Sequence, residues 1–409
     1  MTPKGPAPSQ CVILVGGLGT RLGDRLAGLP KPLVPVGGKP FLDYLLWHAR
    51  RFGFSRVLLL AGHRSEAIVN FIESLPEDPD FQVELVVEPQ PMGTGGALRF
   101  AADRLDERFV LLNGDSVFDF NWLDLVSVAA RNPDAAAVLS LRRVDDASRF
   151  GVVDLDGEVI RGFRERGDAG GGLINGGVYL LDRSVAEGAP EKGSFEAEVL
   201  PALAARGKVA GRPQQGFFLD IGIPDALDAA QALVPGSLGR PAIFFDRDGV
   251  LNIDHGYVHK PEDFEWTPGA IAAVKAANDR GLFAFLVTNQ AGVARGYYDE
   301  AAVRALHAHV QQTLRAHGAH LDDIRHCPHH PEGAVEAYAK ACDWRKPGAG
   351  MILDLAARWP VDLGRSQLIG DNPTDIQAAE AAGIGSRLYQ GGDLLDALAP
   401  LLDRACGAP

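Results

Sequence analysis

The sequence runs to 409 residues, 46% of them apolar and 23% charged, which excludes a disordered chain and gives enough length for two or three separate cores. A formal net charge of −13 with no cluster of Lys and Arg excludes a surface built to wrap nucleic acid, yet a few local cations suffice for small anionic substrates. Four irregularly placed cysteines argue against a disulfide framework, and neither a signal core nor a run of about 18 apolar residues occurs, so a cytoplasmic protein without a membrane partner is expected.

The first expected element is the strand CVILV, which runs directly into the glycine loop GGLGTRL at 16–22. A helix, FLDYLLWHARRFG, follows and stops at Gly53; then come the strand RVLLLAG, a helix near 65–74, the strand QVELVVE and the strand in RFVLLNGDS. Strand and helix alternate, which predicts a mainly parallel sheet with helices on both faces. From about 135 to 182 the pattern changes to extended segments, AAAVLSLRRV, GVVDLDGEVIRGF with an Asp156-Gly157 turn, and INGGVYLLD. These predict an added mixed-sheet portion that covers a substrate.

VPGSLGRP, at 234–241, has the Pro, Gly and Ser content of a boundary. After it the alternation restarts with AIFFD, a helix near 268–280, LFAFLVTN, a long helix near 299–316, SQLIGDN and a helix near 373–382. The expected fold is therefore α/β in two domains, 10–234 and 241–409, joined by a linker at 235–240, each a mainly parallel three-layer sheet.

In the first domain Gly16, Gly17 and Gly19 let backbone N–H groups approach an anion, and the planar fork of Arg21 suits phosphate oxygens. The loop matches neither a Walker loop nor the spaced dinucleotide fingerprint, so a plain turn competes with this reading. Lys31 in PKP follows it, EPQPMGTGGA at 88–97 supplies a flexible glycine segment, and LNGDS sets Asp115 at a strand's carboxyl end, in the crevice of an open sheet. Asp220 in FFLDIGIP adds a second carboxylate, and two carboxylates plus substrate phosphates commonly hold Mg²⁺. Each aspartate taken singly reads as well as a cap or a turn residue.

Together these strings, GGLGTRL, PKP, GTGGA, NGD, ING and LDIG, resemble the sugar-phosphate nucleotidyltransferases over nearly all of 11–234, and within them the heptose 1-phosphate guanylyltransferases. That resemblance implies a Rossmann-like domain in which Gly16, Gly17, Gly19, Thr20, Arg21, Gly93 and Gly95 bind the nucleotide. It further implies that Arg21 and Lys31 neutralise the triphosphate, that Asp115 and Asp220 hold Mg²⁺, and that Glu165 and Asn175 contact the sugar. Arg166 follows Glu165 where relatives often carry Lys, and guanidinium does not replace ammonium freely, so no clamp is assigned to it.

The second domain opens on IFFDRDGVLN. One residue separates Asp246 from Asp248, so persisting strand periodicity would aim both carboxylates to one side, one to attack and one to move protons. A DxDG turn or a calcium-loop fragment is the competing reading of those four residues. Thr288 in LVTNQAGVARG, Lys346 in RKP and Asp371 in LIGDNPTD follow in an order that resembles the haloacid dehalogenase superfamily of phosphatases. The likeness implies that Thr288 and Lys346 bind the phosphoryl group, that Asp246, Asp371 and the backbone of Asp248 hold Mg²⁺, and that Asn289, Arg295 and Arg345 lie by the substrate. DRDGVLNIDHGYVHKPEDF, CPHHPEG and RKPGAGM are similar to the heptose 1,7-bisphosphate 7-phosphatases, with histidinol-phosphate phosphatases near.

Those relatives hold a structural Zn²⁺ through Cys-x-His and Cys-x-Cys, whereas this chain has Cys327, His329 and Cys342 but Trp344 in the fourth place. Tetrahedral zinc needs four donors, so apolar packing of the loop is expected instead unless His330 or Asp343 completes the set. His307, His309, His317 and His320 are expected at the surface, and the tryptophans in packing. The combined resemblance implies a bifunctional, Mg²⁺-dependent enzyme acting on heptose phosphates and GTP, making GDP-D-glycero-α-D-manno-heptose for bacterial surface polysaccharide. Alternatives keep both reactions with another sugar 1-phosphate or histidinol phosphate, or make the chain a silent sugar-nucleotide sensor.

Overall fold

The computed structural model describes residues 7–17, 19, 21–26, 28–148, 151–164 and 170–407. Its chain contacts divide it into two units, Met1–Ser237 and Leu238–Pro409. In the first, the apolar runs form β1 (Gln10–Leu14), β2 (Arg56–Ala61), β3 (Gln82–Val87) and β4 (Arg108–Asn113), paired in parallel in the order β3-β2-β1-β4. Helices α1 (Phe41–Arg51) and α2 (Ser65–Ser74) fall where their apolar spacing placed them.

The sheet then changes character. A short strand, β5 (Ser116–Asp119), leads on to β6 (Ala137–Val144), β7 (Val152–Asp156), β8 (Val159–Arg164), β9 (Gly172–Asp182) and β10 (Val209–Pro213). β9 pairs antiparallel with β4 and β6, which extends the sheet to nine strands, β3-β2-β1-β4-β9-β6-β10-β8-β7. β9 also meets β7 at Ile174 and Val152, so its last five strands close on themselves. The hairpin between β7 and β8 turns at Asp156-Gly157, where Gly157 takes φ +62°. Beside the main sheet β11 (Phe217–Asp220) pairs antiparallel with β5 and brings Asp220 opposite Ser116.

One expectation fails in this unit. The 88–97 segment, read as flexible, is helix α3 (Gly93–Phe100) from Gly93 onward. Its glycines are poor helix formers but allow backbone contact: Gly95 N–H donates to the Gly193 carbonyl at 2.9 Å, and a Cβ at Gly96 would press on the Glu191 carbonyl. Packing overrides propensity here. Pro235 and Gly236, expected to open the linker, end the helix Pro224–Gly236.

The second unit is a five-stranded parallel sheet. Its strands, β12 (Ala242–Phe245), β13 (Phe283–Asn289), β14 (Asp323–Cys327), β15 (Gln367–Gly370) and β16 (Gly385–Leu388), stand in the order β14-β13-β12-β15-β16. Ile243, Phe245, Leu286 and Ile369 share a core with α4 (Ala270–Asp279), α5 (Glu300–Ala316) and the terminal α7 (Leu394–Cys406). Phe283 and Phe285 pack against Trp359 through ring contacts of 5.4 and 5.9 Å, so the strands have cover on both faces, as continuous apolar strands require. His307 and His320 are buried, contrary to expectation, because the apolar side of α5 and the turn after it both face the core; His317 is exposed.

Leu286 is fully buried in that core. Leu286→Ala should lower the stability of the second unit by about 2–5 kcal/mol, read in urea denaturation followed by tryptophan fluorescence.

Two candidate active sites

The first site lies at the carboxyl ends of β1, β2 and β4. Parallel strands ending together leave a crevice there, here a cavity of about 360 Å³ whose lining includes Gly16, Gly17, Glu88, Gly93, Asn113 and Asp115. Lys31, 7% exposed, reaches it from the turn Lys31–Leu33. Its ammonium sits 2.5 Å from the Asp115 carboxylate and 4.0 Å from that of Asp220. Two carboxylates face one cation, so the cluster carries a surplus negative charge suited to a divalent ion. The fold is tight around it: a Cβ at Gly114 would overlap the carbonyl of Leu14, so only glycine lets Asp115 sit this close to β1.

The structure brings together Gly16, Gly17, Lys31, Gly93 and Asp115 at this cavity. Gly95 is buried against residues 193–195 and does not line it, and Arg21 is exposed outside it. Thr20, Glu165 and Arg166 lie outside the described residues. Asn175 joins a group that sequence reading missed. Oε1 of Glu196 accepts hydrogen bonds from Tyr179 (2.8 Å), Asn113 (3.0 Å) and Asn175 (3.1 Å). Burial, then the Glu196 charge, drives the Tyr179 hydroxyl well above its ordinary range, so it stays a donor. Glu88, pushed upward by burial, accepts the Met92 N–H at 3.1 Å.

The second site lies at the carboxyl ends of β12, β13 and β15. Lys346 is 4% exposed and its ammonium is bracketed by Asp246 (2.7 Å) and Asp375 (2.6 Å), while donating to the Val287 carbonyl (3.0 Å). Burial opposes its charge, but the two carboxylates outweigh burial and hold it above its ordinary value. Asn289 fixes the lysine's backbone, accepting from the Lys346 N–H (3.0 Å) and donating to its carbonyl (3.1 Å). Thr288 is fully buried at the end of β13. Ligand atoms of Asp246, Asp371 and Asp375 lie within 4.8 Å of one another, a set fit for a hard cation.

Asp375 was legible in LIGDNPTD yet went unassigned. It starts helix α6 (Pro373–Ala381), where Asn372 and Asp375 form a reciprocal cap, Asp375 Oδ2 accepting the Asn372 N–H at 3.0 Å. Gly249 is required at φ +82°, where a Cβ would overlap the Asp371 carboxylate. The strand periodicity expected to aim Asp246 and Asp248 to one side does not persist: β12 ends at Phe245, the chain turns, and the Asp248 carboxylate accepts hydrogen bonds from Arg247, Gln290 and Asn252. Arg345 is half-buried and donates to the His329 carbonyl at 3.3 Å; the guanidinium of Arg295 lies 6.0 Å from the ring of Tyr257.

Cys327, His329 and Cys342 also converge, their ligand atoms within 4.8 Å of one another. Among the described residues the converging group includes neither His330, whose Nδ1 accepts the Glu332 N–H, nor the exposed Asp343. Burial first, with Cys342 adding, pushes the Cys327 thiol up to about 11. All four cysteines are free, and no helix among the described residues is long and apolar enough to cross a membrane.

Each unit therefore sets a lysine between two aspartates in the crevice of an α/β sheet. Comparison with known proteins gives the class. Residues 10–235 match the Nucleotidyl transferase family and 343–399 the HAD-hydrolase-like family. The D-glycero-beta-D-manno-heptose-1,7-bisphosphate 7-phosphatase of Rhodopseudomonas palustris is 52% identical over 155 residues, 38% of this chain and 86% of that protein. The enzyme of that name in Escherichia coli K12 is 43% identical over 148 residues, 36% of this chain and 78% of that protein. The crystal structure of HddC from Yersinia pseudotuberculosis complexed with GMP-PN is 32% identical over 55% of this chain and 98% of its own, with a TM-score of 0.49. The chain belongs to the nucleotidyl transferase family through its first unit and to the heptose-bisphosphate phosphatase family, of haloacid dehalogenase type, through its second. It is a bifunctional enzyme.

Burial, opposed by Lys346 and aided by Asp375, raises Asp246 from its ordinary 3.8 to about 7. Between those values the folded protein keeps a proton that the unfolded chain has released, so stability falls as pH rises through that window. In chelator-treated protein at pH 8, Asp246→Asn should therefore raise Tm by a few degrees by calorimetry, while abolishing phosphate release. Protein purified without added zinc should carry well under one zinc per chain by elemental analysis, since three donors do not close a structural site.

Proposed function

We propose that the protein converts D-glycero-D-manno-heptose 1,7-bisphosphate to GDP-heptose in two steps. The second domain, 241–409, removes the phosphate on carbon 7. The first, 10–234, joined to it through 235–240, transfers GMP from GTP to the resulting heptose 1-phosphate and releases pyrophosphate. The observation that carries this reading is the pairing itself. A phosphatase 52% identical to one named for a heptose 1,7-bisphosphate is fused to a domain of a family that consumes sugar 1-phosphates, the class of compound left when a 1,7-bisphosphate loses its distal phosphate. Guanine rests on the wording of the first-domain motifs. The setting is cytoplasmic synthesis of a surface-polysaccharide precursor from small-molecule substrates.

In the phosphatase site Asp246 attacks phosphorus and the ester oxygen leaves with a proton from Asp248. Water then cleaves the aspartyl phosphate, and Asp248 takes up its proton. Lys346 and Thr288 hold the phosphoryl oxygens, and Asn289, Arg295 and Arg345 face the remainder of the substrate. In the transferase site an oxygen of the sugar phosphate attacks the α-phosphorus in line with the departing pyrophosphate, and Lys31 and Arg21 neutralise the triphosphate. Gly16, Gly17, Gly19 and Gly93 bring backbone N–H groups to it, and Asn175 with Glu196 receives sugar hydroxyls. Mg²⁺ would be held by Asp115 and Asp220 in one site, and by Asp246, Asp371, Asp375 and the Asp248 carbonyl in the other, supplying charge neutralisation for the phosphoryl oxygens.

Both anomers of the bisphosphate, with GTP and Mg²⁺, form the test. Asp246→Asn should stop phosphate release while still converting supplied heptose 1-phosphate, and Asp115→Asn should accumulate heptose 1-phosphate. Phosphate release from histidinol phosphate in preference to heptose bisphosphate, or transfer from another nucleotide, would overturn the assignment of substrates.

A further inference from the structure

Arg247 stands between the two aspartates of the DRDG turn, and its side chain is fully buried. A guanidinium cannot shed its charge, so burying one requires partners for its N–H groups. The edge formed by Nε and Nη2 is turned to Asp248. Nε and Nη2 donate to Asp248 Oδ1 at 3.1 and 3.0 Å, and Nη2 donates to Oδ2 at 2.8 Å. The two Nη2 hydrogens are shared between these oxygens and the Val258 carbonyl (2.6 Å) and Gln290 Oε1 (3.0 Å), while Nη1 meets His307 Nε2 at 3.4 Å. His307 is held neutral, by burial first and then by the Arg247 cation, so it accepts this contact without repelling it.

Gln290 grips the same carboxylate from strand β13. Its Nε2 donates to Asp248 Oδ2 at 2.9 Å and to Thr288 Oγ1 at 2.9 Å, and its Oε1 is fixed further by the Tyr298 hydroxyl at 2.9 Å. The amide thus ties the Asp248 carboxylate to Thr288, a residue read above as holding the phosphoryl group. A charge-assisted fork on a carboxylate fixes its direction.

We infer that Arg247 and Gln290 are positioning residues for the two proton transfers of the phosphatase reaction. When the P–O ester bond breaks, the proton of Asp248 passes to the leaving alkoxide and an Asp248 carboxylate remains. Arg247 and Gln290 hold that carboxylate in one orientation, so that the transfer runs along a fixed direction. They then present it to the water whose oxygen bonds to phosphorus as the aspartyl phosphate is cleaved, and the proton returns to Asp248. The inference rests on the reading of Asp248 as the acid and base.

Leaving-group dependence tests it. A primary alkyl phosphate needs a proton at its leaving oxygen, whereas 2,4-dinitrophenolate departs without one, and kcat/KM reports only the steps up to that departure. Arg247→Lys and Gln290→Leu should each lower kcat/KM about 100-fold for heptose 1,7-bisphosphate, and for glucose 6-phosphate as an arm free of heptose, but less than about threefold for 2,4-dinitrophenyl phosphate. Asp248→Asn should show the same selectivity. If Asp248→Asn is selective while the Arg247 and Gln290 variants lose both esters equally, or neither, the inference is overturned and the role of Asp248 stands. If Asp248→Asn itself costs both esters equally, the reading of Asp248 fails first. Thermal melting accompanies each variant, and should Arg247→Lys not fold, Gln290→Leu carries the test alone.

Discussion

Each unit of this chain is organised around a buried ammonium held between two aspartates. In the first, Lys31 lies against Asp115 and within 4.0 Å of Asp220. In the second, Lys346 lies between Asp246 and Asp375 at 2.7 and 2.6 Å. A charge taken out of water persists only where it is paired, and one cation among two or more carboxylates leaves the pocket short of positive charge. That deficit is the useful part. In the proposed function it would draw in a divalent ion and, with the ion, a substrate phosphate whose negative oxygens would otherwise be repelled.

Much of the surrounding architecture meets the demands of that pairing. Asp115, Asp246 and Asp371 follow the carboxyl ends of the parallel strands β4, β12 and β15, while Asp220 is brought in by the antiparallel β11 and Asp375 by the first turn of α6. Backbone must approach them closely, hence glycine at 114 beneath Asp115 and at 249 beside Asp371. In the second unit the capping pair of Asn372 and Asp375 fixes the helix start and one lysine partner together, so local structure and site chemistry share a side chain. The two units carry separate clusters.

What the sequence made legible follows from how local each signal is. Ser65–Ser74 and Glu300–Ala316 carry a helical apolar period and Ala242–Phe245 is an unbroken apolar run, so these needed no tertiary knowledge. Gly93–Phe100 was misread because its glycines answer to the backbone at 191–195, nearly a hundred residues away. Asp246, Lys346 and Asp371 were recoverable from motif order. The partnership of Lys346 with Asp375 depends on a loop held to β13 through Asn289 and Val287 reaching the start of α6, which no local pattern encodes. Arg247 was passed over because a charged residue in a turn reads as solvated, and only the fold shows it enclosed by Asp248, Gln290 and His307. Glu196 has no motif around it and is recognisable only through the three side chains that converge on it.

The charge deficit beside each lysine is tested most directly by growing crystals with Mn²⁺ in place of Mg²⁺ and locating the metal from its anomalous scattering. One ion is expected at the carboxylates of Asp115 and Asp220 and another at those of Asp246, Asp371 and Asp375, each bonded to carboxylate oxygen. Manganese bound elsewhere, with Lys31 and Lys346 alone balancing their aspartates, would contradict a metal-dependent mechanism in both units.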